Sequence, residues 1–374
     1  MRPGPAAREG AAGRALGDTG RRAAPPGPAA GGPSCYAWYG SPRFAGRYRH
    51  RDPRLPAGAP RGRLRPPGAI GSSSRPPDEH TGRLRAAAAT GSESPGPGPP
   101  RRQGGASDSL VPSILDAAHS YAIKVAFHGQ PYKGHDDHAV HENIKYITDR
   151  YRSHPAFYKY KTSTGKSLPL FYIYDSYLTP AESWASLLRP SGSHSLRNTA
   201  YNAVLIALLV EEEGHKHDIL STGYDGTYTY FASNGFSFGS SHQNWKAIKT
   251  FWDSNNLMFI PSVGPGYIDT SIRPWNNHNT RNRVSGKYYE TALQAALMVR
   301  PEIVSITSFS EWHEGTQIEK AVPKMTLTHL YLGYLPHQPS MYLELTHRWA
   351  EHFSKERAVV DVTSGFALLG KTSR

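Results

Sequence analysis

The chain has 374 residues, a formal net charge of +13 and one cysteine, Cys35. That length suits one large barrel or two ordinary domains, and a lone cysteine excludes an intrachain disulfide framework. The charge is lopsided: residues 1–107 hold 18 basic and 6 acidic side chains, whereas residues 108–374 hold 25 and 24. All 18 basic residues are arginines scattered among Gly, Pro and Ala without aromatic interleaving or helical spacing, which argues against nucleic acid as a partner. No apolar run approaches the roughly 18 residues of a membrane span, and this sequence shows no signal peptide and no Asn-x-Ser/Thr sequon.

Residues 1–107 carry 18 Pro and 20 Gly. Such a composition cannot bury enough apolar surface to offset the entropy of ordering it, so most of the segment is expected to be disordered. One aromatic island interrupts it, Tyr36-Ala37-Trp38-Tyr39-Gly40, followed by Phe44 and Tyr48. The residues alone favour a sticky patch in a disordered arm; the alternative is a short strand with a ligand-facing end.

A strand–helix rhythm begins at Asp108. Asp108 or Ser109 can cap a helix through Ile114, Leu115, Ala118 and Tyr121, whose apolar residues recur at helical steps. A strand over residues 123–127 ends at His128, and the next helix carries Val140, Ile144 and Ile147 on one face. Residues 168–174 form a strand ending at Asp175, and residues 181–188 a helix. Residues 204–210 are a continuous apolar run, as a parallel strand buried on both faces requires. Residues 225–231 make a further strand with Tyr228 and Tyr230 on one face. Residues 242–252 are read as helix, 257–263 as strand, 288–299 as helix, 303–309 as strand and 342–353 as a closing amphipathic helix.

Six such strand–helix units predict an α/β fold with a parallel sheet and helices outside it. An eight-stranded (β/α)8 barrel needs two more strands, and only the low-complexity segment is left to supply them. Tyr36 to Tyr39 could be one; near Leu84 to Thr90 the sequence offers only R-A-A-A-A-T, a poor strand. A doubly wound open sheet also fits, but no Gly-x-Gly-x-x-Gly turn points to a dinucleotide.

The residues just past each strand are His128, Gln130 and Tyr132; Asp175, Ser176 and Tyr177; Glu211 to Glu213; Ser233 and Asn234; Tyr267, Asp269, Arg273 and Trp275; and Glu311, Trp312, His313 and Glu314. Polar groups mixed with Tyr and Trp suit a sugar, which presents both hydroxyls and apolar C–H faces. His135-Asp136-Asp137-His138 with His141, and His215-Lys216-His217-Asp218, resemble metal ligands by type. Neither has a tight zinc spacing, and both lie at helix starts, where acids and exposed histidines are common. No serine-hydrolase elbow exists, and Gly239-Ser240-Ser241-His242 reads as a helix-capping loop. A glutamate pair in a loop is more often solvated surface than catalyst, but Glu311 and Glu314 directly follow a buried strand, where barrels keep their catalytic groups.

At this level the residues resemble a known family. F-H-G-Q-P-Y at 127–132, P-L-F-Y-I-Y-D-S-Y at 169–177, G-Y-D-G-T-Y-T-Y-F-A at 223–232, F-I-P-S-V-G-P-G-Y-I-D-T-S-I-R-P-W-N at 259–276 and S-F-S-E-W-H-E-G-T-Q-I-E at 308–319 are similar to the endo-α-1,2-mannosidases of glycoside hydrolase family 99, most of all to its endomannosidase-like branch. The resemblance covers residues 108–357 and implies a TIM barrel that cleaves glucosylated mannose from N-glycans with retained configuration, with no cofactor and no metal, in the Golgi. It implies that Glu311 assists the substrate's own 2-hydroxyl in forming a 1,2-anhydro sugar. Glu314 would protonate the departing oxygen and then activate water. His128, Gln130, Tyr132, Asp175, Tyr230, Arg273, Trp312, His313 and Tyr39 become candidate substrate contacts. Residues 358–374 would be a tail. Three departures stand out. Ser310 replaces the usual Asn before the first Glu, Gly129 replaces a bulkier residue in the His-x-Gln/Glu-Pro-Tyr motif, and residues 86–105 occupy the place of the family's second strand, an apolar run ending in Trp-Tyr. A catalytically silent glycan-binding paralogue is therefore the alternative expectation.

Overall fold

The computed structural model describes residues 32–33, 111–121, 123–129, 136–309, 311–312, 314–321, 324–325 and 330–353. Its strands are β1 (Gly32–Pro33), β2 (Phe127–Gly129), β3 (Lys159–Lys161), β4 (Ser167–Ile173), β5 (Val204–Leu208), β6 (Gly226–Tyr228), β7 (Met258–Ile260), β8 (Ser262–Val263), β9 (Ser305–Ile306), β10 (Lys324–Met325) and β11 (Leu330–Tyr331). The helices are α1 (Val111–Ser120), α2 (Asp137–Tyr151), α3 (Ala181–Leu188), α4 (Glu213–Thr222), α5 (Trp245–Ser254), α6 (Asp269–Ile272), α7 (Lys287–Met298) and α8, residues 341–353.

Side-chain alternation along the strands explains the architecture. In β5 all five residues are buried, but Val204, Ile206 and Leu208 join one apolar cluster while Leu205 and Ala207 join another. β4 divides the same way: Leu170 and Tyr172 face the first cluster, Phe171 and Ile173 the second. Successive residues of a strand point to opposite faces, so two separate clusters mean two buried faces. The smaller cluster, with Ala126, Tyr158, Tyr228, Tyr230, Ile260 and Ile303, fills the barrel interior. The larger one lies between sheet and helices, where α2 contributes Val140, Ile144 and Ile147 and α5 contributes Trp245, Ile248 and Trp252.

Parallel pairing runs β2-β4-β5-β6-β7 and, on the next stretch of the same strand, β8-β9-β1. Pro261 separates β7 from β8; lacking an N–H it cannot donate to the ladder, though its carbonyl accepts from Ser305 at 3.0 Å. β1 pairs in parallel with β9, Gly32 opposite Ser305, so among the described residues the first strand adjoins the last parallel one. This is how a (β/α)8 barrel closes. The position between β1 and β2 falls outside the described residues, as do the aromatic island at 36–40, the caps at 108–109 and the tail at 358–374.

Most expected elements are present with shorter strands. Two pairings differ in kind from the parallel series: β10 runs antiparallel to β11, and β3 runs antiparallel to β4, Lys161 opposite Ser167, forming a hairpin around Thr162-Ser163-Thr164-Gly165. Gly165 has φ +80°, the left-handed conformation such turns need. Residues 242–244 are a 3-10 turn before α5, and Ser241 caps nothing with its side chain; its hydroxyl donates instead to the Ser237 carbonyl at 2.7 Å.

Candidate active site

After β9 the chain closes a loop on itself. The Glu311 N–H donates to Ser308 Oγ at 2.9 Å, the Thr316 N–H donates to the Glu311 carbonyl at 3.1 Å, and the Ser308 N–H donates to the Thr316 carbonyl at 2.9 Å. Ser308 and Thr316 also join through their hydroxyls at 2.8 Å. The loop carrying Glu311 and Glu314 is thus held by its own ends. Gly315 takes φ +67° inside it, and a Cβ there would stand 2.8 Å from Ile268 Cδ1. That close approach lets the Ile268 N–H donate to the Glu314 carbonyl at 2.8 Å. Arg283 clamps the loop from outside, donating through Nη2 to the carbonyls of Gly315 (2.8 Å) and Gln317 (2.7 Å) while its guanidinium lies over the Tyr342 ring at 4.6 Å.

Electrostatics separate the two glutamates. Glu311 is buried and Glu314 half-buried. Burial first, and then the negative charge of Glu311, push the Glu314 carboxyl from 4.5 up to about 8, while Arg273 pulls it down. Glu314 therefore holds its proton at neutral pH. Once ionised, Glu314 raises further the phenols of Tyr174 and Tyr267, which burial has already lifted above their ordinary value. Tyr174, Tyr267 and Arg273 are thus near enough to the Glu314 carboxyl to interact with its charge.

Arg273 is aimed by the buried Asp269, to which Nη1 donates at 3.1 Å, and its guanidinium lies over Phe236 at 5.4 Å. Asp269 is fixed in turn by the Asn279 N–H at 3.2 Å. The other wall is aromatic: Tyr174 meets Tyr230 edge to face at 4.6 Å, and Tyr230 meets Phe231 at 5.4 Å. Below them His128 is fully buried, with Nε2 2.7 Å from the Tyr228 hydroxyl and its ring among Tyr172, Tyr174 and Tyr230.

Two of these positions carry backbone strain. Tyr230 has φ +57°, unusual for a bulky residue. The conformation is held by strands on its far side: the Tyr230 N–H donates to Ser262 Oγ at 2.6 Å and Thr307 Oγ1 donates to its carbonyl. Asp175, also left-handed at φ +49°, accepts a bond from the Tyr177 hydroxyl at 3.0 Å. Strained residues of this kind gather where a surrounding scaffold over-determines a site.

Of the residues singled out in the sequence, the structure gathers His128, Asp175, Tyr230, Arg273, Glu311 and Glu314 at the carboxyl ends of the parallel strands. Trp312 points into the outer apolar layer, where its indole N–H donates to Glu319 Oε2 at 3.1 Å, so its ring anchors the loop. Tyr39, Gln130, Tyr132, His313 and Ser310 lie outside the described residues. Sequence reasoning missed Arg283, one arginine among several in a loop. It also missed the Ser308–Thr316 closure, which an ST-rich run beside two glutamates could have signalled. No helix among the described residues is long and apolar enough to cross a membrane.

Comparison with known proteins agrees with this geometry. Residues 101–355 match the model of glycosyl hydrolase family 99. The chain is 68% identical over 345 residues to the human glycoprotein endo-alpha-1,2-mannosidase-like protein, spanning 86% of this chain and 75% of that one. It is 57% identical over 344 residues to the mouse glycoprotein endo-alpha-1,2-mannosidase, spanning 86% and 74%. Among solved structures, the GH99 endo-alpha-mannosidase from Bacteroides thetaiotaomicron, in complex with Bis-Tris propane, superposes with a TM-score of 0.77 at 40% identity over 87% of this chain and 97% of that one. With two-thirds of its length in the family model and relatives of this identity along most of it, the chain belongs to glycoside hydrolase family 99.

Proposed function

We propose that the chain is a retaining, endo-acting α-1,2-mannosidase that removes glucosylated mannose from N-linked glycans, with residues 108–357 as the glycosidase barrel. The observation that carries the reading is the pair of carboxyls on one closed loop, one of them raised to about 8 beside the charge of the other. A carboxyl protonated at neutral pH can donate to a leaving oxygen, and an ionised one beside it can take a proton. In the proposed sequence Glu311 takes the proton of the substrate 2-hydroxyl, whose oxygen attacks the anomeric carbon to form a 1,2-anhydro sugar. Glu314 gives its proton to the departing glycosidic oxygen. The resulting Glu314 carboxylate then takes a proton from water as that water opens the three-membered ring, so configuration is inverted twice and retained overall. Glu311 returns its proton to the 2-oxygen.

Arg273 supplies a positive charge beside Glu314 and stabilises its ionised form once the proton has left. His128, Gln130, Tyr132, Asp175, Tyr230, His313 and Tyr39 are the proposed sugar contacts, and Trp312 holds the loop. N-glycan processing of this kind fits residence in the Golgi. Residues 86–105, where an apolar strand would stand in the family, support a second reading as a glycan-binding paralogue without turnover. Incubating the purified chain with glucosyl-α-1,3-mannosyl-α-1,2-mannose distinguishes the two. Release of the glucosyl-mannose disaccharide, lost in Glu314→Gln, supports hydrolysis, and binding without release supports the paralogue.

A further inference from the structure

Besides the residues gathered around Glu314, the described residues bring together one set of side chains with metal-ligand chemistry. Asp137 and His138 open α2. His194 arrives from the segment after α3, which folds back along that helix: the His194 N–H donates to the Ser186 carbonyl at 3.3 Å and the Leu196 N–H to Leu187 at 2.9 Å. One ligand atom from each of Asp137, His138 and His194 lies within 4.8 Å of the others. The His138 and His194 rings stack with centroids 4.1 Å apart and planes 15° from parallel.

The contact between Asp137 and His194 is informative. His194 Nε2 stands 2.7 Å from Asp137 Oδ2, within ion-pair reach, and is shielded from solvent. A ring nitrogen and a carboxylate oxygen this close, with a second imidazole beside them, are donor atoms that a single ion can bridge. Ser193 Oγ lies 3.1 Å from Nδ1 of the same ring and fixes its orientation from behind, the role that an outer-shell partner plays for a ligating histidine.

We propose that Asp137, His138 and His194 form a binding site for a divalent ion of the zinc class, with water completing its shell. Two imidazole nitrogens and one carboxylate oxygen are the donor set of zinc and its neighbours; calcium and magnesium prefer oxygen alone. Ligands at about 2.0–2.2 Å from a tetrahedral ion stand about 3.3–3.5 Å apart. Asp137 and His194 need to separate by less than about 1 Å to admit it, and the exposed His138 is free to follow. The ion would brace the start of α2 to the segment after α3, and it takes no part in glycosidic cleavage. Asp137 is only five residues beyond Tyr132, so the brace also fixes one end of the connection that carries Gln130 and Tyr132.

The test uses the full chain stripped with chelator, dialysed against Zn²⁺ or Co²⁺ and analysed for bound metal by plasma mass spectrometry. One equivalent per chain is expected, with a Co²⁺ visible absorption band of low-coordinate type. His138→Ala, at an exposed position, and His138→Ala/His194→Ala, with folding checked by circular dichroism, should weaken binding at least about tenfold, while Glu314→Gln retains it. Uptake unchanged in both histidine variants, no uptake by the native chain, or equal affinity for Mg²⁺ would overturn the proposal. Because binding is read directly, the result does not depend on whether the chain hydrolyses glycans.

Discussion

Replacing Glu314 by Gln should make the protein more stable in alkaline solution even as it removes the proposed acid. The ordinary value for this carboxyl is 4.5, and burial with the Glu311 charge raises it to about 8 in the folded chain. Below pH 4.5 the group is protonated in both folded and unfolded states and contributes no difference. As pH rises from 4.5 toward 8 the unfolded chain gains by ionising while the folded chain does not, so stability falls, and above 8 the loss is complete. At about 1.4 kcal/mol per pH unit the ceiling on that loss is about 5 kcal/mol. Glutamine keeps the shape and has no proton to lose. Urea unfolding followed by tryptophan fluorescence between pH 4.5 and 8.5 should show the variant gaining on its parent as pH rises, with the two converging at the acid end. Parallel curves, or a variant equally destabilised at every pH, would refute a raised Glu314 and with it the case for this residue as proton donor. Turnover should meanwhile fall by about 10²–10⁴-fold.

Other outcomes follow from the same contacts. Glu311→Gln removes the like charge and should lower the Glu314 value below about 8, whereas Arg273→Met removes the opposing one and should raise it; carbon-detected NMR of the Glu314 carboxyl reads both. Gly315→Ala must accept a side chain at φ +67° and 2.8 Å from Ile268, which should cost about 1–3 kcal/mol in denaturant unfolding and lower kcat through the displaced loop. Asp269→Asn weakens the charged bond that aims Arg273, with an expected loss of about 1.5–3 kcal/mol and a reduced kcat with a smaller change in KM.

The residues that depend on local pattern were legible in the sequence. Val204 to Leu208 announced a strand buried on both faces because every residue is apolar, and the structure divides those residues between two cores. Glu311 and Glu314 stood out because polarity returns abruptly after Ile303 to Phe309. Features set by distant partners were not legible. Nothing near Tyr230 in sequence announces its left-handed backbone, which Ser262 and Thr307 hold from neighbouring strands. Trp312 looked like a sugar platform by residue type, yet a bond to Glu319 turns it into the outer layer. His194 lies far along the chain from Asp137, and only the chain folding back along α3 brings them together. The β3–β4 hairpin was missed for the opposite reason: its turn signal, Ser163-Thr164-Gly165, is local but sits between short polar segments that the strand–helix rhythm passed over.

The central claim is hydrolysis at an internal α-1,2 linkage by a protonated Glu314 and a neighbouring Glu311. The most direct measurement is proton NMR of the reaction between the purified chain and glucosyl-α-1,3-mannosyl-α-1,2-mannose, watching the anomeric signal of the first product released. The account predicts a glucosyl-mannose disaccharide appearing first as the α-anomer and failing to appear in Glu314→Gln. A first-formed β-anomer, release that survives Glu314→Gln, or no release by a chain shown to be folded would contradict it.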